Sequence, residues 1–185
     1  MTTYALTQQR EETSWVQEIA KVVGASILIA LFAPLSIPLP FTPIPLALQP
    51  HIVLLVGALL GSKRGSLAVL AYLLQGAMGL PVFAGATGGL LCFFGPRGGY
   101  LLGYVAAAFV TGLFFERKRK HSTGSAFAAM AVGNMSIYLF GAAWLSSFVG
   151  FSSALTLGVL PFLVGDFLKL VVNVRILKSW KFFKA

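Results

Sequence analysis

Asp166 and Lys169 stand inside the apolar run 155–177. An ionisable side chain at the bilayer centre costs about 2.5–3.5 kcal/mol on insertion scales, so the pair reads first as a site. At 100° per residue their directions differ by roughly 60°, and Asn173 falls within about 20° of Asp166. One helical face therefore offers a carboxylate, an ammonium and an amide. Asn134 and Tyr138 are spaced i, i+4 in another apolar run, and Arg97, Tyr100 and Tyr104 follow i, i+3, i+7, so each set shares a face. These groups suit the non-covalent recognition of a small polar molecule. They also admit an Asp166–Lys169 pair that only holds helices together, interfacial anchoring for the tyrosines, and an interhelical hydrogen bond for Asn134.

Catalytic patterns are missing. No GxxxxGK[ST] phosphate loop occurs, so nucleotide hydrolysis would belong to another subunit. No nucleophile and base are well spaced, and the acidic residues other than Asp166 lie in flanks. His51 and His121 have no partner spacing for a metal site, and the single Cys92 rules out an intramolecular disulfide. No cofactor is expected.

The elements that must position these groups follow from composition. Of 185 residues, 57% are hydrophobic and 10% charged, against roughly 45–50% and about 25% in soluble domains. Lipid is the expected solvent, and the chain reads as one all-α integral membrane domain over 1–185. Apolar runs at 19–37, 46–60, 67–80, 99–115, 126–148 and 155–177 give six transmembrane helices after a polar segment 1–18, which lacks the pattern of a removable signal. The second and third runs are short against a ~30 Å hydrocarbon core.

The net charge of +9 is spread in clusters between apolar runs, which is a membrane-flank pattern and disfavours a nucleic-acid partner. With the N-terminus inside, Arg10, Lys21, Lys63, Arg64, Arg117 to Lys120, Arg175, Lys178, Lys181 and Lys184 fall on the cytoplasmic side. Both termini are then cytoplasmic. Two external connections are long: one carries Pro38, Pro40, Pro43, Pro45 and Pro50, and the other, 81–97, is glycine-rich. Both can fold over a site on the outer face. Gly95, Gly99 and Gly103 form overlapping GxxxG steps that suit close helix packing.

The chain resembles the BioY family, the biotin-specific S components of energy-coupling factor (ECF) transporters. The resemblance rests on Phe41-Thr42-Pro43-Ile44-Pro45 with Gln49, on Gly57 to Gly65, and on Gly79-Leu80-Pro81-Val82-Phe83-Ala84-Gly85 with Gly88-Gly89. It continues in Gly95-Pro96-Arg97-Gly98-Gly99-Tyr100-Leu101 and in Pro161-Phe162 with Gly165-Asp166 and Lys169. The family usually has Thr where this chain has Arg97. An AxxxA-like docking pattern on the first span is reduced here to Ala20-x-x-x-Gly24 with Ala25, Ala30 and Ala33.

The resemblance implies a six-helix substrate-capture subunit in the plasma (inner) membrane. It would bind biotin near the external face and dock on a transmembrane coupling subunit driven by two cytoplasmic ATPases. The subunit itself would not be an enzyme. Ionised Asp166, an acceptor only, suits the ureido N–H groups, and Lys169 or Arg97 suits the carboxylate. Asn134, Asn173, Gln49, Tyr100 and Tyr138 are candidates for further polar contacts, and Phe41, Phe83 and Trp144 for the apolar wall. The alternatives are an S component for another small vitamin, an intramembrane enzyme using Asp166 and Lys169, and a ligand-free scaffold.

Overall fold

Proline sets where the first span stops. The computed structural model describes residues 2–117 and 122–179, with side chains from Trp15 onward. Helix α1 (Thr2–Phe32) ends just before Pro34. The chain beyond it does not stay helical to residue 37, because Pro34 and Pro38 cannot continue a helical hydrogen-bond ladder. Instead β1 (Ser36–Ile37) pairs antiparallel with β2 (Leu46–Ala47), Ser36 opposite Ala47 and Ile37 opposite Leu46. This two-residue ladder lies within the proline loop of an otherwise helical chain and clips the loop back on itself.

The two short central runs are joined into α2 (Gln49–Ala77), which is broken at Gly61, with φ 84° and ψ 179°. Gln49 Nε2 donates to the Tyr72 hydroxyl at 2.6 Å, whereas 23 residues of straight helix would hold them about 34 Å apart. The element is therefore a hairpin of two arms, 49–60 and 62–77. Gly61 supplies the left-handed φ the reversal needs. The Glu116 carboxylate accepts from the Ser62 amide and hydroxyl, both at 2.8 Å, and so caps the first free N–H of the second arm. The arms measure about 18 and 24 Å, short of a full ~30 Å core, as their run lengths imply.

The chain continues through α3 (Leu91–Phe94), α4 (Gly98–Arg117), α5 (Thr123–Val149), α6 (Phe151–Gly158) and α7 (Leu160–Ser179). Among the described residues, five stretches are long and apolar enough to cross a membrane: Trp15–Phe32, α2, α4, α5 and the α6–α7 pair. Counting the two arms of α2 gives the six expected helical passes. Outward faces are apolar, with Leu139, Val164 and Leu168 at least 60% exposed, as a lipid-facing surface requires. Between α4 and α5 the packing is close. A Cβ at Gly99 would strike Trp144 and the Phe140 carbonyl, and one at Gly103 would meet Ile137, so this glycine ladder is a packing device.

The two ends of the bundle differ. At one, Glu18 is paired with Lys21 at 2.8 Å and with Arg64 of the hairpin tip. Arg117 closes α4, and Arg175 and Lys178 stand beside the start of α5. At the other end the two long loops meet. Lys118, Arg119, Lys120, His121, Lys181, Lys184 and the side chain of Arg10 lie outside the described residues.

Candidate functional site

The position of Asp166 is set by a stripe on α7. Phe162, Asp166, Leu170, Asn173, Val174 and Leu177 are buried, a spacing that repeats every three or four residues and defines one helical face. Pro161 sits in the first turn of α7, where its missing N–H has no helical partner to lose. The apolar members of the stripe carry Asp166 into the core, leaving it 7% exposed.

Four side chains meet its carboxylate there. The Tyr138 hydroxyl donates to Oδ2, and Asn134 Nδ2 donates to the same oxygen at 3.3 Å. His51 Nε2 lies 3.2 Å from Oδ1, and Lys169 Nζ lies 3.6 Å from it. Lys169 also donates to the Ala47 carbonyl at 3.1 Å, and Asn173 Nδ2 donates to the His51 carbonyl at 3.1 Å. A buried carboxylate is tolerable only when paired and hydrogen-bonded. This one ties α2, α5 and α7 together and is held to β2 through Lys169.

Next to this cluster the loops roof a cavity of about 260 Å³, lined by Ile44, Gln49, Phe83, Arg97, Tyr100 and Tyr104 among others. A second, smaller cavity of about 40 Å³ shares Ile44, Tyr100 and Tyr104 with it and reaches Asn134, Tyr138 and Asp166. At the outer end, Arg97 Nε donates to the Pro43 carbonyl at 3.2 Å and Nη1 to the Ala84 carbonyl at 3.3 Å. The guanidinium thus bridges the two loops, and three of its five N–H donors remain for an anion. Phe83 is fixed edge-on against Tyr72 and Phe93, each pair with ring centres 5.7 Å apart. The combined space has a cationic end, apolar walls and an acceptor-rich end. That matches a small molecule with an anionic tail, an apolar middle and a polar head, and its volume approaches the lower end of ligand pockets, ~300 Å³.

The expected residues divide into three groups. Asp166, Lys169, Asn134 and Tyr138 form the carboxylate cluster, with Asn173 behind it on the His51 carbonyl; Arg97, Tyr100, Gln49 and Phe83 line the larger cavity. Lys169 and Asn173 line neither cavity; Lys169 is turned to Asp166 and the Ala47 carbonyl, and Asn173 to the His51 carbonyl. Phe41 is 57% exposed, and neither it nor Trp144 lines either of these two cavities. Trp144 Nε1 instead donates to the Gly95 carbonyl at 3.0 Å, which holds the lead-in to α4.

Sequence reasoning weighed His51 only as a metal ligand and missed its pairing with Asp166, a contact across 115 residues. Its place in an apolar run was the available signal. Also unseen were Tyr72, which accepts from Gln49 and donates to the Val82 carbonyl at 3.0 Å, and Thr42, whose hydroxyl donates to the Leu157 carbonyl at 2.7 Å.

Comparison with known proteins places this geometry in context. A model described as the BioY family matches residues 4–185. The probable biotin transporter BioY of Pyrococcus horikoshii is 42% identical over 154 residues, covering 80% of this chain and 91% of that protein. The biotin transporter BioY of Thermotoga maritima is 40% identical over 158 residues, 85% of this chain and 91% of that one. Among solved structures, the S-component for biotin from an ECF-type ABC transporter superposes with a TM-score of 0.82 at 28% identity, covering 91% of this chain and 93% of that chain.

Proposed function

Because the chain belongs to the BioY family, we propose that it is the biotin-capturing subunit of an ECF-type transporter and that the cavity under its two loops holds the vitamin. The observation that carries this reading is the polarity of that cavity. Arg97, with donors to spare, stands at one end and the Asp166 cluster at the other, with apolar walls between. Biotin has the same sequence of parts: a carboxylate, an aliphatic chain with a thioether ring, and a cyclic urea.

Arg97 meets the carboxylate through a charge-assisted bond. Phe83 and Ile44 flank the apolar middle, and Gln49 and Tyr100 add contacts along it. The urea faces Asp166, Asn134 and Tyr138. Lys169 neutralises the charge of Asp166, and Asn173 braces His51. Burial makes each match count, since an analogue that leaves a site group unpaired forfeits about 1–3 kcal/mol.

The rest of the machinery lies elsewhere. The captured vitamin is handed on by a transmembrane coupling subunit powered by two cytoplasmic ATPases. The loop end faces outward across the plasma (inner) membrane and the basic end faces the cytoplasm, an orientation supported by Lys63, Arg64, Arg117, Arg175 and Lys178.

Binding by the purified protein tests the reading. Calorimetric titration and thermal stabilisation should respond to biotin, respond more weakly to desthiobiotin, and ignore riboflavin and thiamine. A chain stabilised equally by all four, or by none, contradicts it.

A further inference from the structure

We propose that Tyr104 determines specificity for the polar head of the ligand by donating its hydroxyl proton to the urea carbonyl oxygen. This rests on the reading that the cavity holds biotin. Of the tyrosines in the described bundle, three have their hydroxyls committed. Tyr72 donates to Val82, Tyr100 donates to the Gly158 carbonyl at 2.8 Å, and Tyr138 donates to Asp166. Tyr104 is 7% exposed, yet among the described residues its hydroxyl has no hydrogen-bond partner. Its oxygen is not among the fully buried unpartnered atoms of the described residues, so it opens onto the cavity space, where a ligand can supply the missing partner. Tyr104 lines both cavities, which places it at their junction.

The neighbouring chemistry decides what Tyr104 faces. The carboxylate of Asp166 can only accept, so Asn134 must present its Nδ2 to it, and this turns Oδ1 into a bare acceptor. That oxygen is buried without a partner. Asp166 and Asn134 together make an acceptor-rich end that suits the urea N–H groups. The urea carbonyl then needs a donor. Tyr138 is committed to Asp166, Lys169 to Asp166 and Ala47, and Arg97 stands at the opposite end. Gln49, whose Nε2 already donates to Tyr72, lines only the larger cavity, whereas Tyr104 lines both and leaves its hydroxyl free to donate.

The test is Tyr104→Phe, which removes one oxygen and keeps the ring. Dissociation constants are measured by titration for biotin and for 2-iminobiotin. At neutral pH the latter carries a guanidinium in place of the urea and has no carbonyl oxygen to accept. The substitution should weaken biotin by about tenfold and change 2-iminobiotin by less than about twofold, so that the selectivity between them collapses. Without ligand, the variant should unfold at the wild-type temperature or above it, because no protein hydrogen bond is lost.

Equal weakening of both ligands makes Tyr104 a packing residue and overturns the proposal, as does unchanged biotin binding. A variant that unfolds assigns the hydroxyl to the fold and overturns it too. If the wild-type chain itself fails to bind biotin, the functional reading falls first and this inference falls with it.

Discussion

Replacing Asp166 by Ala removes one acceptor from four partners at once. Tyr138 and Asn134 lose the oxygen they share, His51 loses its hydrogen-bond partner, and Lys169 keeps a charge with only the Ala47 carbonyl beside it. Breaking a buried pair from one side costs about 3–5 kcal/mol, and that is the loss expected here. Lys169→Met should cost less, about 1–2 kcal/mol. Its side chain is 21% exposed, and the carboxylate would retain three other partners.

The two changes should not add. Once the carboxylate is gone, removing the stranded ammonium restores stability, so the double variant should be more stable than Asp166→Ala alone, with a coupling of at least about 1 kcal/mol. Equilibrium unfolding of the four proteins in one detergent, without ligand, measures the cycle. Strict additivity, or an Asp166→Ala protein within about 0.5 kcal/mol of wild type, would refute the claim that this carboxylate organises the bundle.

Two further outcomes are expected. Arg97→Ala should weaken biotin by about ten- to a hundredfold and leave biotin methyl ester nearly unaffected, read by titration of both ligands; equal losses would mean that Arg97 serves only to join the loops. Gly61→Ala places a side chain at φ 84° and toward the Glu116 carboxylate, so it should destabilise the hairpin by about 1–2 kcal/mol, read by unfolding.

Much of this was legible in the sequence where a residue conflicts with its surroundings. Asp166 and Lys169 announced themselves because charge is costly in hydrocarbon. Asn134 and Tyr138 were visible as an i, i+4 polar pair, and four of the six spans followed from apolar length alone. The α2 hairpin was implied by two short runs separated by residues 61–66, yet the turn itself is confined to Gly61, and the residues after it are already helical.

What stayed hidden depends on contacts distant in the chain. Nothing near His51 reveals an aspartate 115 positions away. The contrast between Phe83, turned into the cavity, and Phe41, turned out of it, depends on how two loops close. Tyr104 was read on the same face as Arg97 and Tyr100, but only the completed bundle distinguishes a tyrosine whose hydroxyl is satisfied from one whose hydroxyl is not. The ladder between β1 and β2 was invisible because two-residue strands carry no period.

The central claim is that biotin occupies the cavity beneath the loops, and the chain's single cysteine reports on it directly. Cys92 lines that cavity and is half-buried and free of any disulfide, so its alkylation by a small maleimide can be followed by mass. The account predicts that biotin slows the reaction saturably, with a midpoint at its dissociation constant, while riboflavin and thiamine leave the rate unchanged. An alkylation rate indifferent to saturating biotin would contradict it.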